Sequence, residues 1–76
     1  MIEELTSVAL TRPFPEHGLA VGDIGTIVFR YPTGEGFEVE FVTGEGRTLA
    51  VLTLTVNDVR ELGEGEILHA RAITNP

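Results

Sequence analysis

The chain contains no cysteine and no lysine, a single serine, two histidines, and no long hydrophobic run. Each shortage closes a class of function. Without cysteine there is no disulfide to staple the fold and no thiolate nucleophile. That usage fits a cytoplasmic protein, which is the expected location. No stretch approaches the roughly 18 apolar residues of a membrane-spanning helix. The opening "MIEELTSVAL" lacks the basic flank and apolar run of a secretory leader. Without lysine, cationic surface falls to five arginines, Arg12, Arg30, Arg47, Arg60 and Arg71, scattered against twelve acidic residues for a net charge of −7. Phosphate backbones are gripped by clustered Lys and Arg, so free-standing nucleic-acid binding is disfavoured.

What is present is the material of one small β domain. At 76 residues there is room for a single core, and a domain near this size buries only about 60% of the surface its unfolded chain exposes. A hydrophobic content of 42% argues against disorder. Glycine and proline recur from Pro13 to Gly46 at intervals too short for an ordinary helix. The runs between them are rich in Val, Ile, Leu, Thr and Phe, and read as strands near 6–12, 24–31, 37–43, 47–55 and 59–62. The segment "VND" ahead of the last run has the look of a single 3₁₀ turn. Residues 1–62 form the predicted domain. Residues 63–76 form a tail in which "EILHARAI" is compatible with a sixth strand, a helical turn or a flexible end.

The stretch "GDIGTIVFRYPTGEGFEVEFV" is the most regular. A turn at 32–36 sets Tyr31 against Phe37, Phe29 against Val39 and Ile27 against Phe41, all on one side because side chains alternate along a strand. Arg30 then faces Glu38 and Val28 faces Glu40 on the other side. The next turn, Gly44-Glu45-Gly46, places Gly46 where a left-handed residue is wanted. This pairing puts Leu49 beside Phe41 and Val51 beside Val39, leaving Ala50, Leu52 and Leu54 outward. "LAVLTLT" is therefore apolar on both faces. Either a bulge or bend carries its later residues into the core, or strand 47–55 packs against another chain. Five short strands, one long first loop and tight hairpins predict an all-β, five-stranded SH3-like barrel with one short 3₁₀ turn before the last strand.

The segments "SVALTRPFPEHGLAVGDIGTIV", "FEVEFV" and "GRTLAVLTLTVNDVREL" together resemble the small bacterial family called domain of unknown function 4926, over residues 1 to about 62. The resemblance implies an SH3-type barrel with no assigned activity. Some members sit beside toxin or effector genes, which implies a partner-binding role. "GDIGT" is also similar to the turn of KOW-type and Tudor-like barrels, but the absence of lysine departs from their basic pattern.

Residues capable of chemistry are few. Ser7, His17 and Asp23 could in principle line up as nucleophile, base and acid, yet Ser7 is more simply the start of a strand. Glu16 and His17 are adjacent rather than spaced for chelation, and His69 lies in the tail. Glu38 and Glu40 stand about 7 Å apart on one strand face, but on a solvated face both stay ionised, unlike an acid–base pair. The glycine pairs sit between strands and flank glutamates, which would repel a phosphate. No catalytic, metal or cofactor site is expected.

Surfaces remain. Glu35, Glu38, Glu40 and Glu45 form an acidic stripe that either serves solubility or steers a basic partner. Phe14, His17 and Leu19 lie in the long first loop, where Phe14 either caps the open end of the barrel or anchors a partner. Leu52 and Leu54 would be outward contacts on strand 47–55. The expected function is a non-catalytic protein-interaction module, an accessory or neutralising partner of a neighbouring gene's product. Two alternatives are an RNA- or ribosome-associated barrel using Arg12, Arg30 and Phe14, and a homo-oligomer joined through strand 47–55.

Overall fold

The computed structural model describes residues 2–73; the last three residues of the tail fall outside the described part. Five strands follow one another: β1 (Ser7–Leu10), β2 (Ile24–Arg30), β3 (Phe37–Val42), β4 (Thr48–Leu54) and β5 (Val59–Glu61). They make one antiparallel sheet in the order β4-β3-β2-β1-β5. The sheet curls over a single core without closing, which makes a small, partly open SH3-like barrel. Every strand lies within the range its composition predicts.

β3 organises the core. "FEVEFV" alternates strictly, and Phe37, Val39 and Phe41 are all buried. Val8 and Leu10 of β1, Ile27 of β2, Leu54 of β4 and Val59 of β5 pack around them, with Phe14 and Leu19 closing one end. β1 is buried along three consecutive residues, Val8, Ala9 and Leu10, because it runs between β2 and β5.

Both neighbours of β3 break the period of two, and this overturns the predicted pairing. In β2 a bulge falls between Ile27 and Phe29. Ile27 faces Val39, Phe29 faces Glu38 and Arg30 faces Phe37. The extra residue, Val28, switches the later side chains to the opposite face. Phe29 and Tyr31 therefore project outward, at 43% and 37% exposure. The place beneath Phe41 belongs to Gly25 rather than Ile27. A Cβ built on Gly25 would stand 2.7 Å from the Phe41 ring and 2.7 Å from a Val39 methyl. Only a bare backbone leaves room for the Phe41 ring there.

In β4 the second bulge comes at Leu49, between the pairs Phe41–Ala50 and Val42–Thr48. The bulge anticipated for "LAVLTLT" exists, but it precedes the strand's main run. Leu52 faces Val39 and Leu54 faces Phe37, so Leu54 is buried and Leu52 packs against the core. Val51 takes the outward position instead.

The hairpin between β3 and β4 turns at Gly46 with φ +89°, as its glycine pair predicts. The 3₁₀ turn lies at Pro15–His17, in the first loop, rather than ahead of β5. Pro15 pre-sets the first φ, and Gly18, left-handed at φ 72°, ends the turn. Before β5 the Asp58 carboxylate takes the Thr55 N–H at 2.9 Å while the Asp58 N–H donates to the Thr55 carbonyl at 2.9 Å. That reciprocal pair closes a single turn and leaves no helical run.

Gly25→Ala should lower stability by about 1–3 kcal/mol, the usual cost of overpacking a tight site. Gly44→Ala, with open space around its Cβ, should stay within about 0.5 kcal/mol. Urea unfolding checks both. Equal midpoints for the two variants would contradict the packing of Phe41 on Gly25.

Candidate functional site

The outward face of β2, β3 and β4 is built by the same alternation that fills the core. Glu38 stands between Phe29 and Thr53, and Glu40 between Thr26 and Val51. The Thr53 hydroxyl donates to Glu38 Oε2 at 2.7 Å, and the Tyr31 phenol donates to the same oxygen. The Thr48 hydroxyl donates to Glu40 Oε2 at 2.6 Å. The phenol and then the Thr53 hydroxyl hold the Glu38 carboxyl below its ordinary range. The same bond to the Glu38 carboxylate pushes the Tyr31 phenol up.

Apolar surface surrounds these carboxylates. Phe29 and Tyr31 meet edge to face, with ring centroids 5.0 Å apart and planes at 82°. Val28, Val42 and Val51 are also exposed. The result is an exposed aromatic and aliphatic surface with two anions fixed near its middle. Fixed acceptors can receive a cation without first losing side-chain freedom.

The predicted contact residues divide. Glu38 and Glu40 come together with the aromatics. Glu35 and Glu45 sit in the turns at opposite ends of β3, separated by about 20 Å, the length of such a strand. The four glutamates are therefore not one patch. His17 is exposed at the end of the 3₁₀ turn. Phe14 and Leu19 are core residues at 8% and 5% exposure, joined by two backbone hydrogen bonds that close the loop on itself. Leu54 is buried, and Leu52 is turned to the core. These four do not belong to an exposed surface.

Phe29, Tyr31 and Val51 are surface residues that strict alternation assigns to the core. One signal could have found them. Phe41 needs a small residue beneath it, and Gly25 is the one glycine within β2. Pairing Gly25 with Phe41 shifts Ile27 to Val39 and forces an extra residue before Phe29.

Ser7, His17 and Asp23 form no catalytic line. Ser7 faces Thr26 at one end of β1, while the Asp23 carbonyl accepts the Leu10 N–H at the other. Both Asp23 carboxylate oxygens are engaged, by Arg71 and by the Ala20 N–H. Among the described residues no three His, Asp or Glu side chains gather as metal ligands would.

Among the described residues Arg12, Arg60 and Arg71 are each held by a carboxylate. Arg12 donates from Nε to Asp58 at 2.7 Å and lies over the Phe14 ring, 4.1 Å from its centroid. The other two pin the segment after β5. That segment turns near 64–65 and continues to residue 73 without regular secondary structure. Arg60 makes a fork-to-fork pair with Glu66, at 2.8 and 2.7 Å. Arg71 makes a second with Asp23 and also donates to the Gly18 carbonyl at 2.9 Å. The pinned segment is thus a strap. Between it, the loop ahead of β2 and the β3–β4 hairpin lies an open cleft of about 400 Å³, floored by Leu19, Ile24, Phe41 and Leu49.

The family model of the domain of unknown function DUF4926 matches residues 4–61. The chain belongs to the DUF4926 family. No curated protein and no solved structure matches it. The DUF4926 span runs from just before β1 to the end of β5, so it holds every strand, both bulges and the outward face. Glu66 and Arg71, which pin the strap, follow it.

Two titrations test this geometry. Tyr31 is the sole tyrosine and tryptophan is absent, so ultraviolet titration reads one phenol. Its midpoint should lie above 10.0 and fall toward that value in Glu38→Gln. An unchanged midpoint would remove the Tyr31–Glu38 bond. The Arg60 guanidinium, then the Gly63 N–H, pull Glu66 from 4.5 down to about 2. A lowered carboxyl favours the pinned state above its free pKa and releases it as pH falls through its bound value. Amide exchange or NMR shifts at 63–68 should therefore hold steady above pH 4.5 and change between 4.5 and about 2. Glu66→Gln should abolish that transition.

Proposed function

We propose that this DUF4926 protein is a non-catalytic protein-interaction module that receives a basic partner on the outward face of β2, β3 and β4. The observation that carries the reading is the pair Glu38 and Glu40, each fixed by a threonine hydroxyl and bordered by exposed Phe29, Tyr31, Val42 and Val51. Aromatic and aliphatic side chains supply contact area, and Tyr is enriched at binding hot spots. Fixed carboxylates supply charge complementarity, and the net charge of −7 steers a cationic partner inward. The role this suits is an accessory or neutralising partner of a neighbouring gene's product in the cytoplasm. An RNA-binding role draws less support. Arg12 is committed to Asp58 and the Phe14 ring, and Phe14 is part of the core.

The test is affinity capture from the native host. The wild-type chain should retain a basic protein that the double variant Glu38→Lys/Glu40→Lys releases at least tenfold more readily, about 1.4 kcal/mol. Glu16→Lys/Glu64→Lys changes the net charge equally but at exposed positions elsewhere, and should capture normally. Equal capture by both double variants would exclude the outward face.

A further inference from the structure

The sheet has two outer strands, and they differ. β5 is three residues long, and its Arg60 is tied to Glu66 of the strap. β4 is seven residues long, "TLAVLTL", with no charge, proline or glycine. Among the described residues β4 pairs only with β3, and no loop or strap backbone hydrogen-bonds to it. In an antiparallel strand every second residue turns its N–H and C=O away from its partner. Outer strands normally carry a charge, a proline or a cover that blocks further pairing. β4 carries none of these, so its outer side is a ready template for one more strand.

The neighbouring row selects what that strand carries. On the outward face Thr53 lies between the free edge and Glu38, and Val51 lies between the edge and Glu40. Strands lie about 4.8 Å apart, so a residue added opposite Thr53 or Val51 sits roughly 9–10 Å from the glutamate backbone. A Lys or Arg side chain and a Glu side chain close that distance between them. The two added positions are themselves two residues apart and point to the same face. Cations at alternate positions on the incoming strand therefore match Glu38 and Glu40. A second copy of this chain offers no such match, because β4 has no cation and each copy carries −7.

We infer that β4 accepts an extended, basic segment of a partner protein as a sixth strand, with Lys or Arg at alternate positions meeting Glu38 and Glu40. This rests on the basic-partner reading and adds to it the mode of binding. Backbone hydrogen bonds hold the segment, and the alternating side chains select it.

The test uses two labelled peptides of equal length and charge. One alternates Lys with Val and Thr. The other alternates Lys with Pro, which has no N–H to donate and cannot extend a sheet. Fluorescence anisotropy should show the Lys–Val–Thr peptide binding at least tenfold more tightly, and Glu38→Lys/Glu40→Lys should abolish its binding. Hydrogen exchange should slow at the β4 amides, residues 48–54, in the complex. If both peptides bind equally, both depend on the glutamates and β4 exchange is unchanged, strand addition is excluded while the basic-partner reading stands. If neither peptide binds, both readings fall. If β4 is already protected in the free protein, with a doubled mass by light scattering, the edge belongs to a second copy and the inference is overturned.

Discussion

The molecule depends on one strand keeping strict alternation while its two neighbours abandon it. Phe37, Val39 and Phe41 all enter the core from β3, each stabilising the fold by about 1.5–3 kcal/mol through burial. A small sheet must curl to enclose them, and curling needs extra backbone on the strands to either side. The bulge at Val28 and the bulge at Leu49 provide it. They also decide the surface, because each bulge exchanges the faces of the residues beyond it. Phe29 and Tyr31 leave the core for solvent, and Leu52 and Leu54 make the opposite exchange. Core and outward face are thus one solution to one constraint.

This explains which parts of the structure were legible in the sequence. The strand positions were, because glycine and proline mark their ends and β-branched and aromatic residues fill them. The alternation of β3 and the left-handed Gly46 were legible for the same local reasons. The pairing was not. A bulge is a single added residue whose composition is ordinary, and Val28 and Leu49 look like any other strand residues. Their effect reaches every later residue, so a small local omission became a complete exchange of faces. Glu38 and Glu40 were legible as surface because they lie on the unbroken strand. Phe29, Tyr31 and Val51 were not, because they lie on the broken ones. For Phe14 the sequence left open a cap on the barrel's open end or an exposed anchor, and the backbone bridge to Leu19, which folds the loop inward, decides for the cap.

Charge is arranged with similar economy. With no lysine, the arginines are the only strong side-chain cations, and among the described residues Arg12, Arg60 and Arg71 tie chain segments together. Arg12 joins the first loop to the turn before β5, and Arg60 and Arg71 pin the strap at two points. Exposed pairs of this kind add little to global stability. Their role here is positional, since they fix the path of a segment with no regular hydrogen bonding. On the outward face the carboxylates are held by hydroxyls, Glu38 by Tyr31 and Thr53 and Glu40 by Thr48. A hydroxyl orients a carboxylate without cancelling its charge, so the outward face stays anionic where its geometry is most fixed.

A barrel this small has little interior to give to a ligand. Among the described residues ten buried side chains pack its core, and a cavity opened among them would draw on a margin that is already narrow at this chain length. The outside of the sheet is where the proposed partner would bind without any core packing being given up. The two outer strands then meet different demands. β5 is short and guarded by the Arg60–Glu66 pair, which suits an end that only has to close the fold. β4 is long, uncharged and adjacent to the fixed glutamates. Such an edge invites aggregation unless something specific occupies it, and the anions beside it disfavour pairing with a second, equally acidic copy. The same carboxylates that would attract a cationic strand thus oppose the most damaging alternative, so under the proposed reading specificity and protection would come from one row of side chains.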